Sequence, residues 1–371
     1  MVPMGLGPFR SAPFDRPIPG AIPGPHRAVC SGGLIAEGAI RGVAAELAEG
    51  AATMHDAKRR AQETYNATAD FFDDPALGFW DRFGRATVDR LELPPGAIVL
   101  DACAGSGASA LPAAGRVGPS GKVVAVDLAD NLLALARAKA DRHGLGNLET
   151  RHGDIEALDY PPGAFDAVII VFGVFFLPDM AAATAALWRL VGPGGQLAVT
   201  TWGPRTFEPA NSEFWDAVDR VRPDLTRAYN PWDSLTDPDA VGALLAAAGA
   251  EQARVEAVAG SHTLRSPEDF WTIVRGSGYR ATHDAMSVGE RDAVRARCLA
   301  EIADRQITTI ETNVVYAQAT KPHLADRMVG EDAGKSVVEE ARADRKRWVG
   351  GEPSLHPGHE FYTVRPGQST G

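Results

Sequence analysis

Two rhythms of apolar and polar positions run along this chain. In its central third, short uninterrupted apolar runs are broken by glycines and acids. AIVLDACAGSG, KVVAVDL, LETRHGDI, AFDAVIIVFGVFF and QLAVTTW predict five strands. Between them, residues 108–115, NLLALARAKADRHG and MAAATAALWRLV predict helices, the second closed by Gly144 and the third by Gly192 and Pro193. Strands alternating with helices and apolar along their whole length imply a parallel sheet covered on both faces.

The flanks read differently. Ala61, Tyr65, Ala69 and Phe72 recur at helical spacing, and an aromatic cluster of Phe79, Trp80 and Phe83 follows. After Gly203, helices are predicted near 211–221 and 237–248, and a strand at ARVEAVAG. Ser266-Pro267-Glu268-Asp269 has the order of a helix start, and Ser287 with Glu290 has capping-box spacing. A helical insertion is therefore expected over 267–305, with strand character resuming at TNVVYAQAT. Residues 1–27 are dense in Pro and Gly, a weak helix is suggested from Leu34 to Ala51, and the pattern changes at Met54. Either residues 1–53 are a loosely ordered arm or Met54 is the true start. The expected organisation is thus an arm (1–53), a helical cap (54–95) and a core (96–204). The remainder of the domain (205–320) and a tail (321–371) follow, with a solvated, charged helix at 331–348.

Composition narrows the function. A net charge of −11 argues against binding a phosphate backbone or anionic lipid as the main activity. The three cysteines, Cys30, Cys103 and Cys298, have no CxxC or metal-ligand spacing. They suit a reducing compartment, and the cytoplasm is the expected location. The chain has no signal-peptide pattern at its start and no apolar stretch of membrane-spanning length. No metal is expected, and the oligomeric state is left open.

Candidate chemistry gathers where the predicted strands end. Asp101 precedes a turn containing Gly105 and Gly107. Glycines there let backbone approach a ligand, and the following helix offers free N–H groups. The dinucleotide fingerprint GxGxxG fits poorly, because Ala110 replaces its third glycine and an acid beside the turn would repel a pyrophosphate. The same acid would attract an amine. Asp127 ends the second strand, placed for ribose hydroxyls, and Asp154 ends the third, placed for an adenine amino group. Each acid alone could equally cap a loop. Together they fit ligand binding at the carboxyl ends of an open α/β sheet.

VLDACAGSG, VVAVDL, GDIEAL, FDAVIIVFGVFFLPD and LWRLVGPGGQLAVTTWGP together resemble the class I S-adenosylmethionine-dependent methyltransferases, specifically their ubiquinone/menaquinone-methyltransferase-like group. The resemblance spans roughly residues 60–320. It implies a Rossmann-like sheet and S-adenosylmethionine as cofactor. Asp101 and the turn formed by Ala102, Cys103, Ala104, Gly105, Ser106 and Gly107 would hold the methionine moiety. Asp127 and Leu128 would hold ribose and adenine, with Asn131 close by. Gly153, Asp154 and Ile155 would flank the adenine, and Phe172 and Gly173 the sulfonium. Tyr65 lies on the helix that in this family closes over the cofactor. Cys103 stands where the family often has glycine.

Methyl transfer from a sulfonium by in-line displacement depends on alignment more than on acid–base chemistry. Aromatic faces favour a cationic sulfonium, and Phe71, Phe72, Phe79, Trp80, Phe83, Phe175, Phe176 and Trp202 are candidates. Phe175, Phe176, Trp202, Arg275 and Tyr279 are the expected acceptor pocket. Tyr65, His262, Tyr279 and His283 are candidate catalytic groups, none with an assigned role. His143 and His152 read as structural. No NPPY-like tetrapeptide follows the fourth strand, so a small lipophilic or aromatic acceptor is expected rather than a nucleic acid. Two competing readings stand beside this one: a nicotinamide-dependent oxidoreductase, and a non-catalytic cofactor-binding regulator.

Overall fold

The computed structural model describes residues 56–226 and 230–323. Readings that concern the arm 1–53, the tail beyond His323 and the helix at 331–348 therefore lie outside the described residues.

The described residues begin with a helix over 56–72 (α1), followed by α2 (Phe79–Asp89). The alternating core follows as β1 (Ile98–Ala102), α3 (Ala110–Val117), β2 (Lys122–Asp127), α4 (Asp130–His143), β3 (Leu148–His152), β4 (Phe165–Val171), α5 (Met180–Leu190) and β5 (Val191–Trp202). Next come α6 (Ala210–Val221), α7 (Pro238–Ala247), β6 (Arg254–Val258) and β7 (Ser261–Thr263). The last elements are α8 (Pro267–Arg275), α9 (Arg280–Asp284), α10 (Val288–Asp304), β8 (Thr309–Glu311) and β9 (Val314–Thr320).

The main sheet has seven strands in the order β3-β2-β1-β4-β5-β9-β6. The first five are parallel, and β9 lies antiparallel to both β5 and β6. This is a Rossmann-like α/β sheet. Its centre is buried on both sides, which explains why β1 and β4 read as continuous apolar runs. On one face Val99, Ala167 and Ile169 pack with Ala110, Ala113 and Val117 of α3. On the other, Leu100, Val168 and Ile170 join a larger core with α5, α6, α7, α8 and α10.

Helix ends follow the local chemistry. Gly144 closes α4 in the left-handed conformation (φ 65°, ψ 30°). Ser287 and Glu290 form the reciprocal capping box of α10. Ser266 makes no capping bond. The Asp269 carboxylate instead reaches back over the helix start and accepts from the Arg265 backbone N–H at 2.8 Å. Gly192 and Pro193 do not form a separate turn after α5. β5 begins at Val191, with a register shift against β4. The two-stranded β7–β8 sheet was not legible in the pattern, because three residues per strand give too short a period to detect.

Candidate functional site

A cleft of about 1040 Å³, mouth included, crosses the carboxyl ends of β3, β2, β1 and β4 and is covered by α1. β1 runs into the glycine turn, whose residues Cys103, Ala104, Gly105 and Ser106 form the floor. Asp127 ends β2 and Leu128 follows it; Gly153, Asp154 and Ile155 follow β3; Phe172 and Gly173 follow β4; all line the same cleft. Tyr65 faces it from α1, and Phe176 from the segment after β4.

Asp101 stands behind this floor, fully buried at the end of β1. One oxygen, Oδ2, accepts from Ser109 Oγ at 2.8 Å. The other, Oδ1, has no partner among the described residues. Burial pushes the carboxyl up to about 7. A buried oxygen left over in this way fits a ligand ammonium, which would supply both a donor and the missing countercharge.

Asp127 organises the turn. Its Oδ2 accepts from the Gly105 N–H and its Oδ1 from the Ala129 N–H, each at 2.8 Å. Burial raises its affinity for a proton, and those backbone donors oppose the shift. Asp154 Oδ1 accepts from the Glu156 N–H at 2.9 Å, while Oδ2 pairs with Lys58 Nζ at 2.6 Å. Lys58 also meets Glu156 at 2.5 Å. Two further contacts hold α1 down: Gln62 Nε2 to His152 Nε2 at 3.1 Å, and the Asn131 N–H to Asn66 Oδ1 at 3.0 Å.

The wall between β1 and β4 is tightly fitted. Cys103 (φ 59°) and Phe172 (φ 54°) both adopt the left-handed conformation usually left to glycine. Gly173 lies against the Cys103 side chain: a Cβ there would stand 2.5 Å from Cys103 Cβ. Beyond this wall the cleft is aromatic. Phe72 and Trp80 stack at 5.5 Å, Trp80 meets Phe172 edge-on at 5.4 Å, and Tyr65 meets Phe176 at 5.4 Å. Burial, with Asp127 and Cys103 nearby, keeps the Tyr65 phenol protonated, and burial with the neighbouring acids does the same for the Cys103 thiol.

Several expected residues do not line the cleft. Ala102 and Gly107 are buried away from its lining, and Asn131 is exposed, occupied in holding α1. Of the expected acceptor pocket only Phe176 is on the wall. Trp202 is buried behind Phe172, stacked on it at 4.3 Å. Phe175 packs between Phe176 and Trp232. Tyr279 is buried against Phe214 and donates its hydroxyl to Asn211 Oδ1 at 2.7 Å. Arg275 lies over the Phe71 ring at 3.7 Å. Both candidate histidines are elsewhere: His262 is edge-on to Phe79 at 5.2 Å, and His283 bonds Asp284 at 2.7 Å beside Trp271. Apolar packing claimed these rings, since burying an aromatic side chain is favourable wherever the core can take it.

Sequence reasoning missed Lys58, Gln62, Ser109 and Leu177, all of which line the cleft. A signal existed for the first two. Lys58, Gln62 and Tyr65 recur at spacings of four and three, so they share one helical face. No group of three or more potential metal ligands occurs among the described residues.

Comparison with known proteins agrees with this geometry. Residues 99–195 match the model of a methyltransferase domain. Nocamycin O-methyltransferase of Saccharothrix syringae is 29% identical over 223 residues, covering 58% of this chain and 70% of that protein. Aklanonic acid methyltransferase DauC of Streptomyces sp. (strain C5) is 30% identical over 187 residues, 47% of this chain and 85% of that protein. Ubiquinone/menaquinone biosynthesis C-methyltransferase UbiE of Cronobacter sakazakii is 35% identical over 151 residues, 40% of this chain and 59% of that protein. None of these supports an oxidoreductase, and with the sheet order and the acid-then-glycine turn they identify the chain as a small-molecule methyltransferase of the class I S-adenosylmethionine-dependent family.

Proposed function

We propose that the acceptor is a lipophilic, aromatic or enolic small molecule with an acidic oxygen or carbon, and that it meets the cofactor beside Phe172. The observation that carries this reading is the wall of Phe72, Trp80, Phe172, Phe176 and Leu177 at the β4 end of the cleft. Such a surface pays little to desolvate and favours apolar rings.

When bound, S-adenosylmethionine supplies an electrophilic methyl on a sulfonium. The protein's part is to hold and align. Asp101 Oδ1 suits the ligand ammonium, the Gly105 turn gives room for close approach, and Asp127 and Asp154 suit the ribose and adenine ends. α1, held down by Lys58, Gln62 and Asn66, covers the cleft. Orientation of this kind supplies roughly 7–11 kcal/mol in favourable cases.

The titratable groups on the aromatic wall, Tyr65 and Cys103, are kept protonated by burial, so neither is suited to be a general base. The acceptor must then bring its own acidity, as phenols, enols and carboxylic acids do. Scarce, unspaced cysteines support a cytoplasmic setting. The test is turnover of S-adenosylmethionine with matched acceptors: hydroxylated naphthoquinones and phenolic acids against aliphatic amines of equal size. Methylation confined to the amines would overturn the reading.

A further inference from the structure

We infer that the indole N–H of Trp80 is the hydrogen-bond donor that holds an oxygen of the acceptor. The inference rests on the acceptor reading above and sharpens it: the acceptor ring carries an oxygen able to accept a hydrogen bond, at or beside the methylated atom.

Trp80 lines the cleft and is only 9% exposed, yet its Nε1 finds no acceptor among the described residues. Its neighbours explain why. Phe72 stacks on it at 5.5 Å, and Phe79, Phe172 and Trp202 surround it at 4.8, 5.4 and 5.5 Å between ring centroids. None of these rings carries an oxygen. A buried donor is ordinarily paired, because it has lost its water and gained nothing in return. For packing alone a phenylalanine would serve, without an N–H to desolvate. His262 Nε2 is likewise unpaired, but it belongs to a ring behind Phe79 and not to the cleft wall. Trp80 therefore combines a ring on the cleft wall with a donor that the fold does not use, one that the surrounding rings enclose until an acceptor parts them.

The donor also matches the chemistry of the wall. A phenolate, enolate or carboxylate entering among these rings leaves water and needs a partner for its charge. The Tyr65 phenol, which burial keeps protonated, lines the same cleft. An indole N–H can hold such an oxygen by donation without ever removing a proton, since it has no acceptor function.

The test uses the full chain loaded with S-adenosylhomocysteine and three probes: 1-naphthol, 2-hydroxy-1,4-naphthoquinone and 2-methylnaphthalene. Calorimetry on the wild type and on Trp80→Phe should show the oxygen-bearing rings favoured by about tenfold or more in the wild type, and most of that preference lost in the variant. Affinity for S-adenosylhomocysteine should stay within about twofold. A second readout does not need the variant to fold: in wild-type protein the assigned Trp80 indole N–H resonance should move downfield with the oxygenated rings only. An unchanged preference in Trp80→Phe, or a resonance that stays still, overturns the inference. Equal binding of all three probes would sink it while leaving the aromatic-acceptor reading intact. Failure of every ring to bind protein that holds S-adenosylhomocysteine would overturn that reading, and this inference with it.

Discussion

Gly173 and Cys103 are a matched pair: a Cβ at Gly173 would lie 2.5 Å from Cys103 Cβ and 2.8 Å from its Sγ. The thiol fills the space that a side chain at 173 would need. Both residues belong to the wall between β1 and β4. Gly173→Ala should therefore push the turn or Phe172 aside, costing about 1–3 kcal/mol of stability by overpacking and weakening cofactor binding. Adding Cys103→Gly should restore much of both, because it removes the obstructing atoms and relieves a side chain at φ 59°. Melting curves and S-adenosylhomocysteine calorimetry on the two single variants and the double variant check this. Strictly additive effects would show that the pair is not coupled.

Asp101 gives the free protein a pH signature. Its carboxyl, pushed up to about 7 by burial, holds a proton in the folded state where an unfolded chain would have lost it. On this account stability is greatest in acid, declines from the ordinary carboxyl range upward and finishes declining as the pH passes about 7. Cofactor affinity should run the other way, since the ionised carboxylate attracts the ligand ammonium. Between about pH 8 and 5.5 the affinity for S-adenosylhomocysteine should fall by up to roughly 30-fold. Asp101→Asn should bind weakly at every pH and flatten the profile. A wild-type profile that is itself flat would refute the placement of the ammonium.

Asp127 accepts two backbone N–H groups, one on each oxygen. An asparagine has a single acceptor oxygen, and its amide would set N–H against N–H at the other position. Asp127→Asn should thus lose nearly as much cofactor affinity as Asp127→Ala, about 1.5–3 kcal/mol. Calorimetry decides it: an asparagine variant binding like wild type would mean that neither the charge nor the second acceptor matters.

Lys58 bridges α1 to Asp154 and Glu156. Its side chain is a quarter exposed, so the ion pairs contribute about 0–1 kcal/mol to global stability. Lys58→Met should leave the melting temperature nearly unchanged, yet speed amide exchange over 56–66 and hasten release of S-adenosylhomocysteine. Exchange in that segment as slow as in wild type would show that other contacts hold the helix.

The parts of this molecule that could be read from residues are those set by local chemistry. β1 and β4 announce themselves as Val/Ile/Leu runs because both faces are buried, and Gly144 and the Ser287–Glu290 pair mark helix ends through bonds within one turn. Asp101, Asp127 and Asp154 stood out because each stands at the carboxyl end of a strand. What could not be read depends on distant partners. Nothing near Lys58 points to Asp154, 96 residues away. Tyr279 and Trp202 carry the same aromatic character as Trp80, and only the assembled packing decides which ring faces the cleft and which is enclosed. Cys103 looked like a departure from a glycine turn, and the space left at Gly173 shows how the fold accommodates it.

The position of β9 bears on how the protein is made. Among the described residues β6 has β9 as its sole neighbour in the seven-stranded sheet, and β9 also covers the outer edge of β5. During synthesis the cofactor half leaves the ribosome long before residues 314–320 do, so for that interval the backbone of Val191–Trp202 presents an unpaired, apolar edge. Such an edge is a template for pairing with another nascent chain. Polypeptides cut short ahead of Val314 should then be recovered as aggregates or bound to chaperones, even though every strand flanking the glycine turn is already present.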